Sequence, residues 1–256
     1  MEDHFPVRAV FYADTLFETI RVFDGRIPLL PWHVERLLGG MRAMGMEIPA
    51  EWSETWWAAR ILREAPANAR VRITVWRRPG GLYFPENNGT DYRMDTVSLP
   101  DGQWHWPELP VTVGICQTVR LPTDDFSAFK TLNAARYVQA AREARSRGWD
   151  DGLLLNSFDR ICEATGSNVF WWQKDQLLTP PLSEGCVSGT LRNWLMRHTT
   201  VQTAPLTPEI LQNSDEIMLT NAVRGIIPAQ LAGRSGTHPR TRALWEKAGQ
   251  QLIAAN

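Results

Sequence analysis

A polar segment at residues 121–127, Leu-Pro-Thr-Asp-Asp-Phe-Ser, separates two parts of the chain whose hydrophobic patterns differ. Proline, aspartate and serine in such a run favour an irregular connection between folded units. At 256 residues the chain is long enough for two modest domains. We therefore predict a small domain at residues 1–120, an interdomain linker at 121–127 and a larger domain at 128–256.

The predicted N-terminal domain mixes strands with helices, as in a small α+β fold. Asp24-Gly25 is a strong signal for a tight hairpin turn, and strand patterns flank it. Apolar residues at helical spacing predict helices after this hairpin. In chain order, the strands are expected at 17–23, 27–30, 70–76, 96–99 and 111–118, and the helices at 32–44 and 51–64.

The predicted C-terminal domain is richer in β structure and has flanking helices. A helix at 132–147 carries a narrow face of small residues and is stopped by Gly148. Another helix opens at Ser188 or Gly189 and runs to about His198. The strands are expected at 152–156, 160–163, 168–172, 176–178 and 216–219. The two domains together predict a mixed α+β fold class.

Charge balance and cysteine usage exclude several classes of partner. The net charge is −1 and acids and bases are interleaved, so we expect a small-molecule substrate and neither nucleic acid nor a membrane surface as partner. The first ten residues lack the features of a signal peptide, and no apolar stretch has the length of a membrane span, so we expect a cytoplasmic protein. The three cysteines have no metal-site spacing, so no metal is expected.

Lysine is scarce in this chain, which shortens the search for a reactive amine. Among 27 basic residues only Lys130, Lys174 and Lys247 are lysines. A lysine forms a Schiff base well when it is partly shielded from water. Lys130 lies in the apolar run 128–132, whereas the other two have polar neighbours, so Lys130 is the candidate. On spacing alone, a solvated lysine at a helix start is the commoner case.

Other features are compatible with a phosphorylated ring ligand, although each also has an ordinary structural explanation. Glu163 ends a strand before a run of small residues, where its carboxylate can pair with a protonated ring nitrogen or simply face water. The helix start at Ser188-Gly189 has no acidic residue in its first turn, which suits a phosphate or only water. Thr220-Asn221-Ala222 offers donors at a strand end or forms an ordinary turn. Arg36 lies one helical turn after His33 and is either a phosphate ligand or a solvated arginine.

Taken together, ordered blocks of the chain resemble the class IV aminotransferase family, which includes branched-chain and D-amino-acid aminotransferases and 4-amino-4-deoxychorismate lyase. The blocks are Phe17-Glu-Thr-Ile-Arg-Val, His33-Val-Glu-Arg-Leu, Lys130-Thr-Leu-Asn, Glu163-Ala-Thr-Gly-Ser-Asn-Val-Phe, Thr179-Pro-Pro-Leu, Gly189-Thr-Leu-Arg and Thr220-Asn-Ala-Val-Arg-Gly. They occur in the family's order over nearly the whole chain, which is far more specific than any single block.

The resemblance implies a two-domain D-amino-acid aminotransferase-like fold, with pyridoxal 5′-phosphate (PLP) as cofactor in the larger domain. It implies that Lys130 is the catalytic residue and carries the cofactor, and that Glu163 pairs with the pyridine nitrogen. The implied phosphate ligands are Arg36, Gly189, Thr190, Leu191, Asn221 and Ala222. The arginines whose blocks approach the substrate in relatives are Arg21, Arg77, Arg78 and Arg224, of which one or two are expected to bind a carboxylate. Relatives are typically homodimers, so a homodimer is expected.

Three functions remain open. The leading hypothesis is transamination, in which an amino group moves between an amino acid and a 2-oxo acid. The alternative is 4-amino-4-deoxychorismate lyase, which forms 4-aminobenzoate and pyruvate in the folate pathway. The third is a non-catalytic protein with a PLP fold, although the presence of both Lys130 and Glu163 argues against it.

The chain departs from the family's patterns at positions that bear on this choice. Ala135 stands where branched-chain aminotransferases usually have a tyrosine, which disfavours that subclass. Asn221-Ala222 is more similar to the lyases, but Gly80-Gly-Leu-Tyr lacks the arginine of the lyases' corresponding stretch. Ala13 replaces a glycine that is common in the family, and the usual first strand is expected to be missing or rebuilt.

Overall fold

The computed structural model describes residues 7–253, and these form two compact units. The first unit extends to Gly102 and also includes Phe129–Asn133. The second unit comprises Gln103–Ala128 and the chain from Ala134 onward. The segment 121–127, predicted as the linker, lies within the second unit, and Lys130 belongs to the first unit. The domain boundaries expected from the sequence stay a prediction.

The first unit is built on an antiparallel sheet against which helices pack. Its elements are α1 (Val7–Tyr12), β1 (Thr15–Val22), α2 (Leu30–Ala43), α3 (Glu54–Glu64), β2 (Ala69–Arg77) and β3 (Thr90–Ser98). The strand order is β1-β2-β3, with Thr15 opposite Trp76, and α2 packs against β1. Alternate side chains of β2, among them Val71, Ile73 and Val75, are buried, as the two-residue period of a strand requires.

The turn at Asp24-Gly25 forms as predicted, but the strand expected after it does not. Both turn residues have positive φ, 45° for Asp24 and 74° for Gly25, as a tight hairpin turn requires. A single antiparallel bridge, between Phe23 and Arg26, flanks this turn, and α2 begins soon afterwards at Leu30. The prediction of a strand at 27–30 is wrong because Pro28 lacks a ladder donor.

The second unit contains a closed sheet. Its elements are β4 (Val111–Leu121), α4 (Ala135–Ser146), β5 (Asp151–Asn156), β6 (Ile161–Ala164), β7 (Asn168–Gln173), β8 (Gln176–Thr179), α5 (Thr190–His198), β9 (Val201–Thr203), α6 (Pro208–Gln212), β10 (Glu216–Asn221), β11 (Gly225–Leu231) and α7 (Pro239–Leu252). Because β10 pairs with both β11 and β7, the strands β4, β5, β6, β7, β10 and β11 form a ring, which β8 and β9 extend. β4 is parallel to both of its neighbours, β5 and β11.

The core of the second unit lies on both faces of these strands. β5 and β10 are buried along nearly their whole length, which is typical of strands covered on both sides. Leu153, Val169, Trp171 and Ile217 are among the apolar residues packed there. The mixed α+β class expected from the sequence is confirmed. Between residues 7 and 253, no helix has the length and apolar character needed to span a bilayer.

Candidate active site

Lys130 lies on a short segment that is paired with the beginning of β1. Its carbonyl accepts a hydrogen bond from the backbone N–H of Phe17 at 2.8 Å, and Leu16 and Thr131 form an antiparallel bridge. The side chain is half-buried, with Nζ 4.8 Å from the centroid of the Phe17 ring. A half-buried amine on a backbone held by a strand fits a nucleophile better than a solvated helix-start lysine.

Arg36 is fixed by a buried ion pair with Glu18, which the sequence analysis did not identify as a site residue. Nε of Arg36 donates to Oε1 of Glu18 at 2.8 Å, and Nη2 donates to Oε2. Nδ1 of His33 lies 2.6 Å from Oε2 of the same carboxylate. Arg36 and His33 therefore face the same way from α2, as their spacing predicts. The only sequence signal for Glu18 is a charged residue at an inward position of β1.

Charges in this cluster set the protonation of its members. Burial alone would raise the pKa of Glu18, but Arg36 and then His33 lower it to about 2. The pKa of His33 is lowered, first because burial disfavours the imidazolium, and further by the charges of Arg36 and Lys130, while Glu18 opposes the shift. The neutral ring therefore donates through Nδ1 to Glu18. Glu18, His33, Arg36 and Lys130 form one electrostatic group in the first unit.

Glu163 lies on β6 in the second unit and is 3% exposed. Its Oε1 accepts a hydrogen bond from the hydroxyl of Tyr137 at 2.6 Å. Its Oε2 accepts from the backbone N–H of Val187 at 3.0 Å and from Nδ2 of Asn168 at 3.4 Å. These neutral donors hold the carboxylate in one orientation. Tyr137 and Asn168 were not predicted as site residues, because their role depends on contacts between separate elements.

Asn168 links Glu163 to the segment that leads into α5. Its Nδ2 also donates to the carbonyl of Val187 at 2.8 Å. A Cβ at Gly189 would lie 1.8 Å from Oδ1 of Asn168, so only glycine fits there. Gly189, one of the two residues predicted as the cap, is the N-cap residue of α5, and no side chain of the described residues caps this helix. With no acidic residue in its first turn, the N-terminus of α5 has the electrostatics of an anion site.

The predicted donors at the end of β10 form a turn that Asn221 closes. Oδ1 of Asn221 accepts hydrogen bonds from the backbone N–H groups of Val223 at 3.0 Å and Arg224 at 2.8 Å, and Ala222 is buried within this turn. Nδ2 of Asn221 donates to the hydroxyl of Ser167 at 3.0 Å. The turn is thereby tied to the run of small residues that follows Glu163.

The arginines predicted to bind substrate have different surroundings. Arg21 and Arg77 lie at opposite ends of the β1–β2 pair, and Arg224 belongs to the second unit. Arg21 is buried and donates to the carbonyl of Asp101 at 2.6 Å. Arg78 is exposed and pairs with Asp91. Arg224 is exposed at the Asn221 turn.

Arg77 stays a prediction as a substrate residue, but the donors described for it bind groups of the first unit itself. Its Nε donates to Asp14 at 2.8 Å, and its Nη atoms donate to the carbonyls of Gly45 and Met44 and to the side chain of Asn88. The side chain is buried. Asp14 also binds Arg8 at 2.8 Å, so Arg77 is part of a buried structural network.

The chemistry of these donors fits PLP. A phosphorylated pyridine aldehyde needs an amine for its aldehyde, cationic or N–H donors for its phosphate and an anion for its ring nitrogen. The first unit carries Lys130 and the oriented Arg36, and the second carries Glu163, the α5 N-terminus and the Asn221 turn. In the described part of the chain, histidine, cysteine, aspartate and glutamate form no group of three or more that could hold a metal ion.

Comparison with known proteins identifies the family. The model of the amino-transferase class IV family matches residues 15–232. The chain is 27% identical over 239 residues to an aminodeoxychorismate lyase of Vibrio harveyi, which covers 89% of this chain and 87% of that protein. It is 28% identical over 240 residues to a putative branched-chain-amino-acid aminotransferase of Methanocaldococcus jannaschii, with 88% and 81% covered.

The fold agrees with this assignment. The solved structure of an aminotransferase from Brucella abortus bound to PLP is similar at a TM-score of 0.81, with 22% identity and with 95% of this chain and 91% of that chain covered. The family match extends over most of the chain and includes the segment of Lys130, Glu163, the start of α5 and the Asn221 turn. The chain therefore belongs to the amino-transferase class IV family and is an enzyme.

Proposed function

We propose that this chain is a PLP-dependent enzyme that transfers an amino group between an amino acid and a 2-oxo acid. The observation that carries this proposal is the environment of Glu163, a 3% exposed carboxylate that three neutral donors orient. Hydrogen bonds from neutral donors fix the orientation of the carboxylate and favour its ionised form, which suits a protonated pyridine nitrogen. A glutamate at a strand end with no such role is normally solvated.

The other residues take roles that follow from their surroundings. Lys130 binds the aldehyde carbon of PLP, and Arg36, oriented by Glu18, binds its phosphate. Gly189–Leu191 and Asn221-Ala222 supply backbone donors to the same phosphate. When bound, PLP withdraws electrons from the α-carbon of the substrate. With the cofactor bound, the amine of Lys130 would remove the proton from the substrate α-carbon and deliver it to the former aldehyde carbon of PLP, which is the proton shift that transamination requires.

The covalent role of Lys130 can be tested directly. Borohydride reduction of the PLP-loaded protein, followed by peptide mass mapping, is expected to find the modification on Lys130. Lys174 is the internal control, because it is exposed in the turn between β7 and β8. An unmodified Lys130 in protein that binds PLP would remove the proposed mechanism.

Transamination is tested by incubating the PLP-loaded protein with single amino acids. We expect at least one of them to convert the absorbance of the lysine-bound cofactor to that of pyridoxamine phosphate, and a 2-oxo acid to reverse the change. No conversion with any amino acid would contradict the aminotransferase assignment while leaving PLP binding intact.

A lyase is the second candidate, because Asn221-Ala222 is more similar to that branch of the family. The turn that Asn221 closes is well defined, and its side chain is committed to Val223, Arg224 and Ser167. Release of pyruvate and 4-aminobenzoate from 4-amino-4-deoxychorismate, without conversion by amino acids, would favour the lyase. The two assays therefore separate the candidates.

We also propose that the protein is a cytoplasmic homodimer. Large apolar side chains of the first unit are exposed, among them Phe11 at 69%, Tyr83 at 91% and Phe84 at 85%. Monomeric proteins rarely leave such side chains in water when they form a patch, and the rings of Tyr12 and Tyr83, 5.5 Å apart, bring α1 and the 80–86 loop together. Light scattering of the purified protein gives the oligomeric state, and cell fractionation gives the location.

A further inference from the structure

Tyr137 is the donor to Glu163 that the family resemblance does not account for. It is the third residue of α4, and its hydroxyl lies 2.6 Å from Oε1 of Glu163. The pKa of its phenol is raised well above the usual value, first because burial disfavours the phenolate and then because the charge of Glu163 repels it. The hydroxyl therefore stays protonated and donates a hydrogen bond to the carboxylate.

Among the three hydrogen bonds described above for Glu163, the one from Tyr137 is the shortest. The donors to Oε2 lie at 3.0 Å for Val187 and 3.4 Å for Asn168. A hydroxyl bound to a carboxylate at such a short distance is a charge-assisted hydrogen bond, which is about twice as strong as one between neutral groups. A donor of this kind stabilises the ionised carboxylate against the protonated one.

Tyr137 also has a packing role, which must be separated from its effect on Glu163. Its ring packs against a buried cluster that includes Cys116, Leu121, Leu154 and Cys162. Loss of the hydroxyl leaves that ring in place, so Tyr137→Phe removes the hydrogen bond and keeps the apolar contacts. A structural role alone would change the stability and leave the protonation of a ligand at Glu163 unaltered.

We propose that Tyr137 is a positioning residue. Through its hydrogen bond to Glu163, it keeps the proton that Glu163 and the cofactor share on the pyridine nitrogen rather than on the carboxylate. This inference rests on the proposed function, since it requires that Glu163 faces the ring nitrogen of PLP. Because Tyr137 donates to Oε1, it lowers the proton affinity of the carboxylate. Without that donor, the proton shared with the ring nitrogen shifts toward Glu163, and the ring becomes a weaker acceptor of electrons.

The test uses the protein loaded with PLP labelled with ¹⁵N in the ring, whose NMR shift reports protonation of that nitrogen. In the parent we expect the shift of a protonated ring, and in Glu163→Gln that of an unprotonated one. Tyr137→Phe is expected to lie between them, and kcat to fall about tenfold with little change in KM, the effect of one charge-assisted hydrogen bond. The control Tyr92→Phe, in the first unit, is expected to match the parent.

A second variant guards against a packing defect in Tyr137→Phe. Incorporating 3-fluorotyrosine at position 137 keeps the ring and makes the hydroxyl a stronger donor, so the ¹⁵N shift is expected to stay on the protonated side. The inference is overturned if Glu163→Gln moves the ¹⁵N signal whereas Tyr137→Phe does not. If Tyr137→Phe does not fold, the inference is overturned when the fluorinated protein moves the signal toward the unprotonated side. If the parent binds no PLP, or Glu163→Gln leaves the signal unchanged, the proposed function itself fails.

Discussion

Glu18 and Glu163 are both buried glutamates, but different kinds of partner hold them. Glu18 is bound by the guanidinium of Arg36 and by His33, and its pKa falls to about 2 although burial opposes that shift. The donors identified for Glu163 are a phenol, a backbone amide and a side-chain amide. The comparison indicates that Glu18 neutralises and orients a cation of the protein, whereas hydrogen bonds from neutral groups orient Glu163, which is consistent with the role proposed for it beside the ring nitrogen.

The largest expected effect is the loss of stability when Glu18 is neutralised. Glu18→Gln leaves Arg36 buried without its counterion, and removing one partner of a buried ion pair costs about 4 kcal/mol of unfolding free energy. Urea unfolding of the apoprotein measures this change. The matched control is Glu35→Gln on the exposed face of the same helix, expected within about 0.5 kcal/mol of the parent. Equal effects of the two variants would break the comparison.

Acid unfolding of the parent protein tests the same ion pair without substituting a buried side chain. The pKa of Glu18 is about 2 in the folded protein, against an ordinary value of 4.5. A carboxylate with a lowered folded pKa contributes stability that is complete above the unfolded pKa and is lost as the pH falls through the folded one. Between about pH 4.5 and pH 2 the parent is expected to lose about 3 kcal/mol through this group. In Glu18→Gln this part of the pH dependence should be absent.

Neutralising Glu163 is expected to affect catalysis more than folding. Glu163→Gln keeps the shape of the side chain but removes the charge that is proposed to lie beside the ring nitrogen, and loss of one electrostatic contact in an active site lowers kcat about 100-fold. Its unfolding free energy should change by less than that of Glu18→Gln. Steady-state kinetics and urea unfolding of the same preparations give both numbers, with Glu209→Gln on the surface as control. A Glu163→Gln protein with the parent's kcat would refute the role in catalysis.

The sequence predicted the elements that local patterns determine. The helices α2 and α4, most strands and the N-cap position Gly189 follow from spacing and capping chemistry. β11 was not predicted, because Pro228 within it argues against a central strand, yet β11 pairs with both β10 and β4. The helix α7 was not predicted, and its start has no local capping residue in the described chain, because the carboxylate of the distant Glu216 accepts hydrogen bonds from the backbone of Arg240 and Thr241.

The residues of the candidate site also differ in whether the sequence alone reveals them. Lys130 and Glu163 are recognisable because residue type and order are enough to match them to a family. The roles of Glu18, Tyr137 and Asn168 are not recognisable in this way, although Glu18 and Asn168 lie within the matching blocks, because each acts through a contact with a residue on another element or across a turn. Tyr137 and Glu163 are separated by 26 residues in the chain and by 2.6 Å in space. No periodicity of a single helix or strand carries that information.

The smallest expected effect concerns the residue before Asp14. Like Glu18, Asp14 is a buried carboxylate bound by cations of the protein, because Arg8 and Arg77 both donate to it at 2.8 Å. Ala13 precedes it with φ of 52°, a left-handed conformation that is unfavourable for alanine and in which the family commonly has glycine. Ala13→Gly should therefore relieve strain and stabilise the protein by about 1 kcal/mol, measured as a higher urea midpoint with unchanged slope. If the variant is instead destabilised, the entropy that glycine adds to the unfolded chain outweighs the strain that it relieves in the folded one. Backbone strain at Ala13 would then not be a significant cost to the stability of the folded protein.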